Sequence, residues 1–211
     1  ADGTNIAGAT GASYTLTNAE VGKAITVVAN YTDSRSSPET VTSLATGAVT
    51  NANDLGSIAI TGAATQGQTL STTITDPDGV PASGITYQWK ADGTNISGAT
   101  SSTYTLTNAE VGKAITVVAS YTDSRSSAET VTSSATSAVT NTNDAGSIAI
   151  SGTATQGQTL TTNITDPDGV PASGITYQWK ADGTNISGAT SSTYTLTNAE
   201  VGKAITVVAN Y

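Results

Sequence analysis

Hydrophobic and polar residues alternate over residues 85–93, which is the clearest strand signal in the chain. Ile85, Tyr87 and Trp89 fall on one face of an extended segment, and the polar residues between them fall on the other. This period of two predicts a strand with one buried face. Because a buried Trp needs a thick core, we place this strand at the centre of a sandwich.

Other stretches alternate in the same way and predict further strands. They lie at residues 57–61, 68–76, 103–107, 114–121 and 128–140, with clusters of Gly, Pro, Asn, Asp and Ser between them. Only residues 108–111 favour a helical turn. The side chains expected to point inward are Ile58, Ile60, Leu70, Ile74, Tyr104, Leu106, Ile115, Val117, Ala119, Tyr121, Val131, Ala135 and Val139.

The whole pattern repeats along the chain. Residues 142–211 match residues 52–121 without a gap, at an offset of 90 positions, and residues 1–51 match residues 91–141 in the same way. We therefore expect a window of a longer array. It would hold the C-terminal part of one repeat at 1–52, a complete repeat at 53–142, and a repeat lacking its last strand at 143–211.

Six or seven short strands in 90 residues, with a Trp on the third, are typical of an immunoglobulin-like sandwich. The predicted fold class is all-β, with tandem immunoglobulin-like β-sandwich repeats of 90 residues in an extended array. The chain contains no cysteine, so the usual disulfide between the two sheets is absent. Ala119 and its neighbours would have to fill that space by packing.

Composition excludes several classes of function. The net charge of -9 argues against binding to the phosphate backbone of a nucleic acid. The absence of Cys, His and Met removes disulfides, thiol chemistry and the usual soft metal ligands. No apolar run approaches the length of a membrane span, and no signal peptide is visible.

A known family shares several motifs of this unit: Thr-Gln-Gly-Gln-Thr-Leu at 65–70, Ile-Thr-Tyr-Gln-Trp at 85–89, the stretch 104–113, and the linkers Asn-X-Asn-Asp at 51–54 and 141–144. The unit resembles the immunoglobulin-like tandem repeats of giant bacterial surface adhesins exported by type I secretion, sometimes grouped with the RTX adhesins. Its linkers resemble the calcium linkers of cadherins. The resemblance implies an extracellular or cell-surface stalk, usually stiffened by Ca²⁺, that holds a distant binding domain away from the cell.

The junctions between repeats are the predicted metal sites. In a sandwich with an odd number of strands the chain leaves at the end opposite to where it enters. The linker should therefore meet the turn at 108–113, or its equivalent, and the loop after the second strand of the next repeat. Ca²⁺ binds six to eight hard oxygens in a flexible geometry, and carboxylates crowded together without it would repel one another. The predicted ligands are Glu20, Asn53, Asp54, Asp76 and Asp78 at the first junction, with Asp123 close by, and Glu110, Asn143, Asp144, Asp166 and Asp168 at the second.

The sequence leaves several interpretations of these and other residues open. The segment from Asp76 to Gly79 is also a good turn without any ion, and Ca²⁺ could lie elsewhere in the unit or be absent. Trp89 and Trp179 could offer a platform for a sugar, although their alternation with Ile and Tyr favours the core. Outward Thr side chains could bind ice, although they also suit any solvated strand.

Enzyme activity is not expected. The chain has no His, no Cys, no nucleophile elbow and no glycine-rich loop between a strand and a helix. Asp76 and Asp78 lie in one tight turn and do not flank a substrate as the paired carboxylates of glycosidases do. An isopeptide bond is also disfavoured, because Lys113 lies in a loop and Lys90 points outward.

The function predicted from the sequence is mechanical reach: a stalk or extender segment of a large extracellular adhesin or surface filament. The expected partners are neighbouring repeats of the same chain, and a cell surface or matrix reached through a distant domain. No nucleic acid and no membrane insertion are expected. Two alternatives remain open, namely a weak multivalent binding module for a glycan or cell surface, and a self-assembling filament subunit.

Overall fold

The structure is a computed structural model that describes residues 1–211. It contains fifteen strands, three single-turn 3₁₀ helices and no α-helix. By density of contacts the chain divides into two compact units, residues 1–106 with 112–139 and residues 107–111 with 140–211. None of the helical segments has the length and apolar character that crossing a bilayer requires.

The first unit contains a complete sandwich of seven strands. One sheet has the order β3-β4-β7 and the other has the order β6-β5-β8-β9, and every neighbouring pair is antiparallel. These strands are β3 (Ser57–Thr61), β4 (Thr69–Thr75), β5 (Thr86–Ala91), β6 (Thr94–Asn95), β7 (Thr103–Thr105), β8 (Ile115–Thr122) and β9 (Ala128–Thr132).

Trp89 joins the two sheets of this sandwich. Its ring, on β5, lies 6.0 Å from the ring of Tyr104 on β7 in the opposite sheet. The Trp89 side chain is fully buried, and its indole N–H donates a 2.8 Å hydrogen bond to the carbonyl of Ser101. Trp89 is therefore core and offers no face to a sugar. Two facing antiparallel sheets with a buried Trp between them form an immunoglobulin-like sandwich, so the predicted all-β, immunoglobulin-like fold is confirmed.

Residues 1–51 also belong to the first unit. They form a 3₁₀ turn (Asn18–Glu20) and a hairpin of two antiparallel strands, β1 (Val28–Thr32) and β2 (Pro38–Thr42). Thr17 caps the turn by accepting a hydrogen bond from the N–H of Ala19, and Glu20 Oε2 accepts a hydrogen bond from the N–H of Thr17. This capping box is encoded locally, and it recurs at the turns Asn108–Glu110 and Asn198–Glu200 in the second unit.

The second unit repeats the sandwich without the strand that corresponds to β9. Its sheets have the orders β10-β11-β14 and β13-β12-β15. Trp179 packs with Leu160, Ala189 and Leu196 in a core that both sheets supply. The strands are β10 (Ser147–Ser151), β11 (Thr159–Thr165), β12 (Thr176–Ala181), β13 (Thr184–Asn185), β14 (Thr193–Thr195) and β15 (Ile205–Asn210).

One predicted strand is shorter than its pattern indicates. The alternation over residues 128–140 continues past Thr132, where β9 ends, and Ala135 is exposed instead of buried. The reason is that hydroxyl groups interrupt the ladder beside β8. Ser133 Oγ accepts from the N–H of Val117 and Thr136 Oγ1 accepts from the N–H of Ile115, each at 3.0 Å. A side-chain acceptor in place of a backbone carbonyl breaks the regular register.

Candidate metal site

Asp76 and Asp78 lie in the turn that follows β4. The N–H of Gly79 donates to the carbonyl of Asp76 at 3.1 Å, and the N–H of Asp78 donates to Asp76 Oδ1 at 2.8 Å. Gly79 has a φ of 99°, which a side chain would disfavour. Pro77 and Gly79 therefore build a tight turn that holds both carboxylates at one end of the sandwich.

Asp123 lies in the loop between β8 and β9. Its Oδ1 accepts hydrogen bonds from the N–H groups of Arg125 and Ser127, both at 2.8 Å. Asp33 folds the equivalent loop of residues 33–37 in the same way, with bonds of 2.8 and 2.9 Å. Since the two loops lie in different surroundings, this conformation is encoded by the loop sequence itself.

These two loops bring three carboxylates together. One oxygen from each of Asp76, Asp78 and Asp123 lies within 4.8 Å of the other two. Asp78 and Asp123 are buried, and Asp76 is partly buried. Three anionic groups at this distance repel one another unless positive charge or hydrogen bonds compensate them.

Asp78 is the best compensated of the three. Its Oδ2 accepts from the N–H of Asp54 at 2.8 Å and from the amide of Asn51 at 3.1 Å. Its Oδ1 accepts from Arg125 Nη1 at 2.7 Å. The backbone hydrogen bond from Asp54 is the largest cause that lowers the pKa of Asp78, and Asn51 and Arg125 add to it against the effect of burial. Asp78 is therefore held in its ionised form.

Two buried carboxylate oxygens have no hydrogen-bond partner, Asp123 Oδ2 in the cluster and Glu129 Oε2. Glu129 lies on β9 and is 3% exposed, and its other oxygen, Oε1, accepts from the amide of Asn53 at 2.6 Å. The charges of Asp76, Glu129 and Asp123 all act on the hydroxyl of Tyr121, and with burial as the largest cause they raise its pKa. Glu129 is also the cross-strand partner of Tyr121, whose hydroxyl binds Asp76, so Glu129 lies next to the cluster.

The residues fit a hard cation. A buried carboxylate oxygen without a partner is costly, and a metal ion is one of the few groups that removes the cost. Of the three carboxylates in the cluster, only Asp78 forms an ion pair, with Arg125, so this end of the sandwich carries excess negative charge. An all-oxygen set with several carboxylates is the set that Ca²⁺ prefers.

The other residues predicted for the first junction have identifiable contacts outside the three-carboxylate cluster. Glu20 caps its own turn, where Oε2 accepts from the N–H and the hydroxyl of Thr17 at 2.9 and 2.8 Å. Asp54 Oδ2 accepts from the amide of Asn18 at 2.9 Å. The amide of Asn53 donates to Glu129 Oε1, so Asn53 acts on the site through Glu129.

The second unit reproduces part of the arrangement. Asp168 Oδ2 accepts from the N–H of Asp144, and Asp166 Oδ1 accepts from the N–H of Asp168, each at 2.8 Å. Asp168 Oδ1 is buried without a partner, at the position where Asp78 binds Arg125. Glu110 caps the turn at Asn108–Glu110 by binding Thr107, and Asn143 is exposed.

Sequence reasoning missed four residues that shape the site: Asn51, Tyr121, Arg125 and Glu129. Glu129 left a usable signal, since it alternates with Val131 on β9 and so occupies an inward position. An acidic residue at an inward position of a strand indicates a buried charge that needs a partner. Asn51 begins the Asn-X-Asn-Asp linker but was not predicted as a ligand, and Arg125 left no signal because its partners are distant in the sequence.

Comparison with known proteins gives one curated relative with significant similarity. The chain is 33% identical over 207 residues to the "Highly immunogenic outer capsid protein" of Enterobacteria phage T4, across 90% of this chain and 53% of that protein. The chain thus spans about half the length of that relative. No family model matches the chain.

Solved structures give weaker likenesses. Three N-terminal domains of the Highly Immunogenic Outer Capsid protein of bacteriophage RB49 align over 73% of this chain and 58% of theirs, with 16% identity and a TM-score of 0.32. An adhesin described as Ca²⁺-stabilized, with which an Antarctic bacterium reaches out and binds ice, aligns over 88% of this chain and 48% of its own, with 16% identity and a TM-score of 0.34.

Proposed function

We propose that this chain is a spacer segment of a surface-exposed protein, in which immunoglobulin-like repeats provide length and Ca²⁺ stiffens the joints between them. The ion would be held by Asp76, Asp78, Asp123 and Glu129, with the linker amides of Asn51 and Asn53 behind them. Its partners are the neighbouring repeats, and a binding domain elsewhere in the protein would contact a cell surface or matrix. The proposal assigns no catalysis to the chain.

The observation that carries the proposal is a pair of buried, unpartnered oxygens, Asp123 Oδ2 within the cluster of three carboxylates and Glu129 Oε2 next to it. If the arrangement served only to form a turn, these oxygens would be expected to face water or to accept a hydrogen bond. When bound, Ca²⁺ would supply positive charge and ligand bonds to them.

The position of the cluster supports a role at the joint. Asp78 is bonded to Asn51 and to the N–H of Asp54, and Glu129 is bonded to Asn53. All three partners lie in the linker at 51–54, which connects residues 1–50 to the sandwich. Any cation that fixes these carboxylates therefore also fixes the linker.

The near identity of the repeats supports a spacer over a binding module. Residues 142–211 differ from residues 52–121 at only seven positions, and the exchanges do not create a distinct aromatic or charged patch on one copy. Near-identical copies of one repeat are suited to a spacer, which only has to hold other parts of the protein at a distance. The 33% identical relative is named as an outer capsid protein, which agrees with a surface location.

Small-angle X-ray scattering of the 211-residue chain in millimolar Ca²⁺ and in EDTA tests the proposal. We expect Ca²⁺ to narrow the ensemble of shapes that fits the scattering curve, because the linker loses freedom. Asp123→Asn, which removes one unpartnered oxygen, should abolish the response, while Asp33→Asn in the equivalent loop should keep it. Superimposable curves in Ca²⁺ and EDTA for the wild type would contradict the proposal.

A further inference from the structure

The side chain of Arg125 reaches three segments that are far apart in the sequence. Its Nη1 donates to Asp78 Oδ1 at 2.7 Å and to Asn51 Oδ1 at 3.1 Å. Its Nη2 donates to the backbone carbonyl of Asn18 at 2.8 Å. One guanidinium therefore connects the β8–β9 loop to the turn after β4, to the linker, and to the 3₁₀ turn that precedes the β1–β2 hairpin.

These contacts are stronger than an ordinary surface ion pair. The side chain of Asp78 is fully buried and that of Arg125 is one quarter exposed. Partial burial weakens solvent screening, and the planar guanidinium holds several acceptors in fixed directions. An exposed pair would contribute little, so this burial makes Arg125 an effective connection between the segments.

We infer that Arg125 is the protein's own cation at this joint, and that it orders the joint before any metal binds. Asp78 would then be shared between the guanidinium and the proposed ion, so that the two cations act on one carboxylate. The first part of the inference stands without the metal. The second part, the sharing of Asp78, rests on the proposed Ca²⁺ site.

A second contact holds the same segments without Arg125. The amide of Asn18 donates to Asp54 Oδ2 at 2.9 Å and to the carbonyl of Pro77 at 3.4 Å. Both bonds are exposed and have a neutral donor, so they contribute less than the partly buried bonds of the charged guanidinium. We therefore expect loss of the guanidinium to loosen the joint even though Asn18 remains.

Arg35 provides a matched control for Arg125. It occupies the same position in an identical loop, since Tyr-Thr-Asp-Ser-Arg-Ser-Ser occurs at 31–37 and at 121–127. The loop at Asp33 has the same hydrogen bonds as the loop at Asp123. The Arg35 residue is exposed, and its guanidinium makes no hydrogen bond or ion pair. Replacing Arg35 thus changes the net charge and the loop composition without touching the joint.

The absence of cysteine allows a clean distance measurement on the full chain. Two exposed residues, Thr42 on β2 and Ser97 after β6, can be replaced in Thr42→Cys and Ser97→Cys and spin-labelled. Double electron–electron resonance then reports the distribution of distances between the hairpin and the sandwich. In EDTA we expect a narrow distribution for the parent chain and for Arg35→Gln, and a broad one for Arg125→Gln.

Arg125→Lys separates charge from geometry. It keeps the positive charge but loses the fork that reaches Asn18 and Asn51 together, so its distribution in EDTA should lie between those of the parent chain and Arg125→Gln. If Arg125→Gln in EDTA gives the same distribution as the parent chain, the inference is overturned. A circular dichroism melt of each variant confirms that the sandwich itself is folded.

Calcium titration tests the sharing of Asp78 separately. Loss of the neighbouring positive charge should tighten Ca²⁺ binding of Arg125→Gln by about tenfold relative to Arg35→Gln, and Ca²⁺ should narrow its distance distribution again. Equal affinities in the two variants would overturn the sharing. If no variant binds Ca²⁺ while Arg125→Gln is still broad in EDTA, the proposed metal site and the sharing fail together and the Arg125 connection stands.

Discussion

The hydroxyl of Tyr121 donates a 2.8 Å hydrogen bond to Asp76 Oδ2. The bond connects the end of β8 to the turn after β4, and it fixes one carboxylate of the acidic cluster. The second unit has the same pair, since Tyr211 donates to Asp166 Oδ2 at 2.6 Å. The orientation of the cluster therefore depends on a core residue as well as on the loops.

Gly56→Ala should disturb this pair directly. A methyl group at Gly56 would overlap the Tyr121 hydroxyl and would lie 2.8 Å from Asp76 Oδ2. Because the buried Tyr121 side chain or the backbone has to shift, we expect a loss of about 1–3 kcal/mol in the free energy of unfolding. Urea denaturation measures it, with Gly47→Ala as the control, since a methyl group there meets no atom within 4 Å. An unchanged midpoint for Gly56→Ala would contradict the close packing.

The Tyr121 pair should weaken in alkali. Burial, followed by the hydrogen bond to Asp76, raises the pKa of Tyr121. Its contribution to stability is therefore fully present below the unfolded pKa of about 10, and it is lost as pH rises toward the folded value. Tyr121→Phe should cost about 1 kcal/mol at pH 8, and its difference from the wild type should shrink above about pH 10. If the difference in stability between the wild type and Tyr121→Phe does not change as the pH rises, the raised pKa of Tyr121 is contradicted.

The contribution of Asp78 to stability should depend on pH in the opposite direction, and should be lost in acid. Its pKa is lowered mainly by the hydrogen bond from the N–H of Asp54. The stabilisation is present above the unfolded value of about 3.9 and is lost as pH falls through the folded value. Asp78→Asn should therefore be less stable than the wild type at neutral pH, and the two should converge in acid. Thermal melts in EDTA from neutral pH to below about pH 4 measure the difference in stability between the wild type and Asp78→Asn. A difference that grows in acid would contradict a lowered pKa for Asp78.

Trp89 is predicted to act through packing alone. The residue is fully buried between the sheets, so Trp89→Ala should lower the free energy of unfolding by about 3–5 kcal/mol. Leu44→Ala is a useful control, because Leu44 is 94% exposed and its loss should change stability by less than about 0.5 kcal/mol. Equal effects of the two substitutions would show that Trp89 does not hold the sheets together.

Much of the fold could be predicted from the sequence because its signals are local. Alternation around Trp89 and Leu70 placed both residues in the core, where the structure has them fully buried. Asn108–Glu110 forms the predicted turn because Thr107 and Glu110 cap it within four residues. The two-residue strand β6 was missed, since Thr94 and Asn95 are too few to show any period.

The site was predicted less completely because its geometry depends on the tertiary fold. Asp76 and Asp78 were placed together by their shared turn, and Asp123 was placed near them by the topology of the sandwich. Arg125 pairs with Asp78 across 47 positions and with Asn18 across 107. A pattern read along the chain cannot choose such partners among several charged residues.

If Asp123 and its neighbours are arranged for a divalent cation, calorimetric melting of Asp123→Asn in EDTA and in Ca²⁺ will show it. In EDTA the variant should melt at or above the temperature of the wild type, because one of several mutually repelling carboxylates is gone. Ca²⁺ at 100 times its dissociation constant should stabilise the wild type by about 2.7 kcal/mol, and the variant should lose most of this gain. Asp33→Asn should behave as the wild type. A wild type that melts identically in Ca²⁺ and EDTA, or an Asp123→Asn variant that gains as much as the wild type, would contradict the account.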